Sequence, residues 1–178
     1  MLYPPFGTYL LKTTNGGKIW SAEYFRMPGV FINSFYFLDS LTGFAIGYPG
    51  VFHRTTDGGA SWSHVELDSS IVSGFPAITI KFYSPLYGYA CGGVRDIVGI
   101  VWRTTDGGIS WATVADTLTS EPLYDIQIID SLNIIAMGGD PEFGTSQIVS
   151  SDGGNIWEYT SLGIFYFPFS IDFRTKEE

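Results

Sequence analysis

Arg103-Thr-Thr-Asp-Gly-Gly-Ile-Ser-Trp111 decides the fold, because the chain repeats this phrase four times. The other copies are Lys12-Thr-Thr-Asn-Gly-Gly-Lys-Ile-Trp20, Arg54-Thr-Thr-Asp-Gly-Gly-Ala-Ser-Trp62 and the weaker Val149-Ser-Ser-Asp-Gly-Gly-Asn-Ile-Trp157. The acidic or amide position recurs at Asn15, Asp57, Asp106 and Asp152, in steps of 42, 49 and 46 residues. That period is the length of one propeller blade. Within the phrase, the Asp or Asn side chain is placed to accept backbone N–H groups of its own turn, and the glycines permit the positive φ angles a tight turn demands. The Trp at Trp20, Trp62, Trp111 and Trp157 opens the following strand, where its ring is set to cover the sheet on which a neighbouring blade packs. A phrase present in every blade builds the blade rather than performing chemistry in it.

Working outward, a second phrase precedes each of the last three copies. It reads Phe35-Tyr-Phe-Leu-Asp-Ser-Leu-Thr-Gly-Phe-Ala-Ile-Gly47, then Ile80-Lys-Phe-Tyr-Ser-Pro-Leu-Tyr-Gly-Tyr-Ala-Cys-Gly92, then Ile126-Gln-Ile-Ile-Asp-Ser-Leu-Asn-Ile-Ile-Ala-Met-Gly138. Aromatic and β-branched runs around a polar turn predict two strands joined by a short hairpin loop. The chain is therefore expected to be all-β, a β-propeller of four-stranded antiparallel blades. In the first whole blade the strands fall at about 32–38, 43–47, 51–55 and 61–66.

The blade phase divides the chain into 1–22, the end of one blade; 23–67, 68–115 and 116–160, three whole blades; and 161–178, the start of the next. An arc of a larger ring is the leading expectation. A closed four-bladed ring whose ends share a composite blade and a ring of several chains are the alternatives.

The nine-residue phrase resembles the Asp-box or BNR repeat, whose pattern is Ser/Thr-x-Asp-x-Gly-x-Thr-Trp. Asp57, Gly59, Ser61 and Trp62 match it, as do Asp106, Gly108, Ser110 and Trp111, while Asn15, Ile19 and Ile156 depart from it. Both phrases together resemble the photosystem II assembly and stability factor family and its bacterial relatives. That resemblance implies a seven-bladed scaffold without catalysis, a protein partner and an extracytoplasmic or secreted setting. Asp-boxes also occur in sialidases, xyloglucanases and sortilin-type receptors, so a carbohydrate-active propeller is the alternative reading.

Composition narrows the classes. The 178 residues are 45 % hydrophobic and 17 % aromatic, as in a packed β-protein. A formal charge of −9 leaves no basic stripe for phosphates and argues against nucleic acid. No apolar run is long enough to span a bilayer as a helix, and the N-terminus carries no signal-peptide pattern. Cys91 aligns with Ile46 and Met137, which marks it as a small buried hydrophobe. Two histidines and one cysteine form no transition-metal pattern, and each box aspartate stands alone in its turn, so neither metal nor other cofactor is expected.

Function is sought instead on the hub-face loops, those between blades and between second and third strands. Arg26, Arg95, Asp96, Asp140 and Glu142 are the candidate binding residues there. For a glycosidase, Asp140 and Glu142 facing Asp96 or Glu121 would supply the carboxylate pair. Tyr24-Phe-Arg-Met-Pro28 also resembles the sialidase Phe-Arg-Ile-Pro phrase, but it follows a box instead of preceding the first one.

Overall fold

The computed structural model describes residues 8–25, 30–68, 70, 72 and 74–174. Arg26 lies outside the described residues. Strands β1 (Thr8–Lys12) and β2 (Ser21–Phe25) form a two-stranded sheet. Three four-stranded sheets follow, each an antiparallel meander in chain order. They comprise β3 (Phe31–Phe37), β4 (Gly43–Tyr48), β5 (Val51–Thr55) and β6 (Ser63–His64); β7 (Ala77–Phe82), β8 (Gly88–Val94), β9 (Val98–Thr104) and β10 (Ala112–Ala115); and β11 (Leu123–Ile128), β12 (Ile134–Asp140), β13 (Gly144–Ser150) and β14 (Glu158–Ser161). These are propeller blades, with β3, β7 and β11 lying side by side at the hub. Among the described residues no helix is long and apolar enough to cross a membrane.

The strand spans follow the two phrases closely, with one physical exception. Expected over 61–66, the fourth strand of the first blade is regular only at Ser63–His64. Ser61 is held in the box turn, and pairing resumes irregularly where Val65 N–H donates to Phe52 O at 2.8 Å.

Sandwiching explains why the middle strands read as continuous apolar runs. In β9, Ile100 and Trp102 enter the core shared with the first blade, beside Phe44, Phe52 and Trp111. Val101 enters the core shared with the third, beside Ile126, Ile148 and Trp157. Cys91 is buried in that second core, as its alignment with Ile46 and Met137 implies, and burial pushes its thiol pKa far up.

The glycine that ends the second phrase has a steric cause. Gly47, Gly92 and Gly138 face irregularities in the first strands, where a Cβ would collide with the carbonyls of Phe31, Pro76 and Pro122.

Side chains also tie hub strand to hub strand. Asn33 Nδ2 donates to Ala77 O at 2.8 Å, and Thr79 Oγ1 to Tyr124 O at 2.8 Å. Gln127 Nε2 donates to Ile171 O at 2.6 Å, while Asp125 Oδ2 accepts from Ser170 Oγ at 3.2 Å and Ile171 N–H at 3.0 Å. The segment 170–173 therefore runs beside β11 as β11 runs beside β7, continuing the blade progression.

Candidate functional site

The boxes are self-wired turns. Thr104 Oγ1 donates to Asp106 Oδ1 at 2.8 Å and itself accepts Gly108 N–H at 2.9 Å. The Asp106 carboxylate accepts the Ser110 N–H at 3.0 Å and the Ser110 hydroxyl at 2.7 Å. Asp57 repeats this pattern with Thr55 and Ser61, and Asp152 with Ser150, Asn155 and Ile156. Asn15 keeps the contacts to Thr13 and to Ile19 N–H through its amide oxygen.

Three of the four box Trp residues seal their turns against the sheet before them. Trp111 packs on Phe44 and Phe52, Trp62 on Phe25, and Trp157 on Tyr89. Trp20, with no such sheet before it among the described residues, is 57 % exposed.

Sequence reasoning missed a latch at the first position of the phrase. Arg103 Nη1 donates to Gly153 O at 2.8 Å and Asn155 Oδ1 at 2.9 Å, so it grips the next blade's box. Lys12 Nζ reaches Gly58 O at 3.5 Å in the same sense. The recurring basic residue at 12, 54 and 103 was the available signal.

On the loops opposite the boxes, the structure brings Arg95, Asp96, Asp140 and Glu142 together, and adds Glu121. Arg95 and Asp96 sit in the β8–β9 turn, Asp140 and Glu142 flank the β12–β13 turn, and Glu121 precedes β11. Arg95 Nη2 lies 2.6 Å from Asp140 Oδ2, and its guanidinium stands 3.9 Å from both Asp96 and Glu142. The approach to Asp140 is a close ion pair made by a half-exposed guanidinium.

Asp140 Oδ1 accepts the N–H groups of Glu142 at 2.8 Å and Phe143 at 2.7 Å. Led by the Phe143 N–H and aided by Glu142 N–H and Arg95, these contacts hold Asp140 below the usual carboxylate range against burial. Asp96 adopts a left-handed φ of 60°, and its N–H donates to Glu121 Oε1 at 3.3 Å. Burial pushes the Glu121 pKa up, and the charge of Asp140 adds to the effect. Glu121 is 2 % exposed, and its Oε2 is buried without a hydrogen-bond partner.

One oxygen each from Asp96, Glu121 and Asp140 lie within 4.8 Å of one another. Spacing along the chain did not show this trio, because its members come from three loops on two blades. The glycosidase reading draws little from it: Asp140 is committed to Arg95 and two backbone N–H groups, and the three carboxylates crowd into one cluster instead of facing each other across a sugar. The sialidase reading would need further arginines beside Arg26, yet Arg103 holds the next box and Arg95 is paired with Asp140. His53 is buried beside Phe25, with burial lowering its pKa, as a packed core residue.

The family model described as photosynthesis system II assembly factor YCF48 matches residues 7–176. The chain belongs to this family. Among solved structures, the family member described as YCF48 bound to D1 peptide is 21 % identical, with a TM-score of 0.57, over 76 % of this chain and 43 % of that one. The Niastella koreensis GH74 enzyme is 17 % identical with a TM-score of 0.64, over 85 % of this chain and 26 % of that one. An ancestral GH74 enzyme is 14 % identical with a TM-score of 0.55, over 76 % and 19 %. These likenesses establish the propeller fold, and the chain spans less than half the length of each of these three structures. No curated protein matches it.

Proposed function

We propose that this YCF48-family propeller is a non-enzymatic recognition scaffold that holds a peptide segment of a protein partner on its hub-face loops. The family match over residues 7–176 carries the reading. It is supported by a solved family member described as bound to a D1 peptide, and by the mixed charge that Arg95, Asp96, Asp140 and Glu142 gather on rigid blade ends. In this division of labour the boxes set the blade ends in place and the loops above them do the binding. The same reading takes 23–67, 68–115 and 116–160 as the whole blades, and the family resemblance favours an extracytoplasmic setting.

A labelled D1 peptide, its scrambled sequence and a xyloglucan oligosaccharide titrated into the chain test this. Saturable binding of the peptide alone is expected. Binding of the sugar with no peptide response would overturn the proposal in favour of a carbohydrate-active propeller.

A further inference from the structure

We propose that Asp96, Glu121 and Asp140 form a divalent-cation site of the calcium class, for which Arg95 is the displaceable internal counter-ion. The inference stands on side-chain geometry and does not depend on the peptide-binding reading. One oxygen from each of the three carboxylates falls within a 4.8 Å span, a spacing a single cation bridges. Glu121 supplies the second observation: its side chain is 2 % exposed, yet Oε2 has no hydrogen-bond partner. A buried carboxylate oxygen left unpaired is costly, and a cation removes that cost.

Asp140 is already oriented for the role. Its Oδ1 is fixed by the Glu142 and Phe143 N–H groups, which leaves Oδ2 as the oxygen that meets Arg95. Arg95 meets Oδ2 from a side chain that is 50 % exposed, so its guanidinium can swing into water. One guanidinium also faces four carboxylates, those of Asp96, Glu121, Asp140 and Glu142, and the local charge remains strongly negative.

Oxygen-only donors select a hard cation over zinc, and irregular loop geometry suits calcium better than the strict octahedron of magnesium. Asp96, whose side chain is largely exposed, gives the entry path from solvent. Water completes the coordination shell.

The test is calcium titrated into the whole chain by calorimetry, paralleled by terbium luminescence excited through the chain's tyrosines and tryptophans. Wild type is expected to bind one calcium with a dissociation constant of roughly 0.1 to 1 mM. Glu121→Gln and the exposed-site variant Asp96→Asn should each weaken binding about tenfold, while Arg95→Ala should tighten it several-fold. Thermal melts of each variant separate lost binding from lost fold. No binding by wild type up to about 10 mM calcium would overturn the proposal. So would binding indifferent to both carboxylate variants, or binding by Arg95→Ala alone, which would make the arginine the resident cation.

Discussion

Truncating the same phrase position in two boxes should cost very different amounts. Trp111 is 2 % exposed and packs on Phe44, Phe52 and Phe82 from two blades, whereas Trp20 occupies the equivalent place at 57 % exposure. Trp111→Ala deletes a buried indole and leaves a cavity between two sheets that each hold their own hydrogen bonds and cannot collapse to fill it. Substitutions of this kind cost about 3–5 kcal/mol. Trp20→Ala removes exposed surface and one Nε1–H bond to Gly17 O at 2.9 Å, a loss of about 1 kcal/mol. For a domain of this size 1 kcal/mol moves Tm by roughly 2–4 °C, so the variants should melt about 6–20 °C and about 2–4 °C below wild type. Guanidinium titration followed by far-ultraviolet circular dichroism is the companion assay, because blades can unfold in separate steps. Equal losses at the two positions would refute the claim that box tryptophans act by sealing one blade on another.

Further outcomes follow from the same geometry. Gly108→Ala should destabilise by about 2 kcal/mol or more, because φ is +74° and the new Cβ meets the Phe44 ring; Gly16→Ala, with φ +68° but open space, should cost about 1 kcal/mol, both read from denaturant midpoints. The carboxyls of Asp57, Asp106 and Asp152 are more acidic in the fold than at their ordinary value of 3.8, so the folded chain binds fewer protons than the unfolded one. Stability should be full above roughly pH 5 and fall as pH drops from about 4 toward 2, seen as an acid-side loss of Tm that shrinks in Asp57→Asn. Native Cys91 should resist a thiol reagent at pH 8 and react at once in denaturant, since burial raises its pKa; prompt native labelling would contradict the sealed core.

Blade number and strand placement were legible because the determinants are local. A turn such as Thr104 to Ser110 is wired by residues within a few positions, and the Gly92 and Gly138 that end the second phrase answer a neighbour one hairpin away. The hub-face loops were legible as a set for the same reason: strand count fixes which end of a blade a loop occupies. What joins one blade to another was not. The Arg103 grip on Gly153, the Asp125 clasp on Ser170 and Ile171, and the approach of Glu121 to Asp96 all span 25 residues or more and depend on how far blades rotate about the hub. The periodic Lys or Arg opening each phrase carried a faint signal of the first; nothing periodic marked the other two.

The division between boxes that build and loops that bind is tested most directly by measuring D1 peptide affinity and Tm together for Asp106→Ala and Arg95→Gln. Asp106→Ala should lose about 2 kcal/mol of stability, from its charge-assisted bonds to Thr104, Ile109 and Ser110, while the folded fraction binds as wild type does. Arg95→Gln should bind roughly tenfold more weakly and melt within a few degrees of wild type. Lost affinity in folded Asp106→Ala, with Arg95→Gln binding normally, would contradict the account.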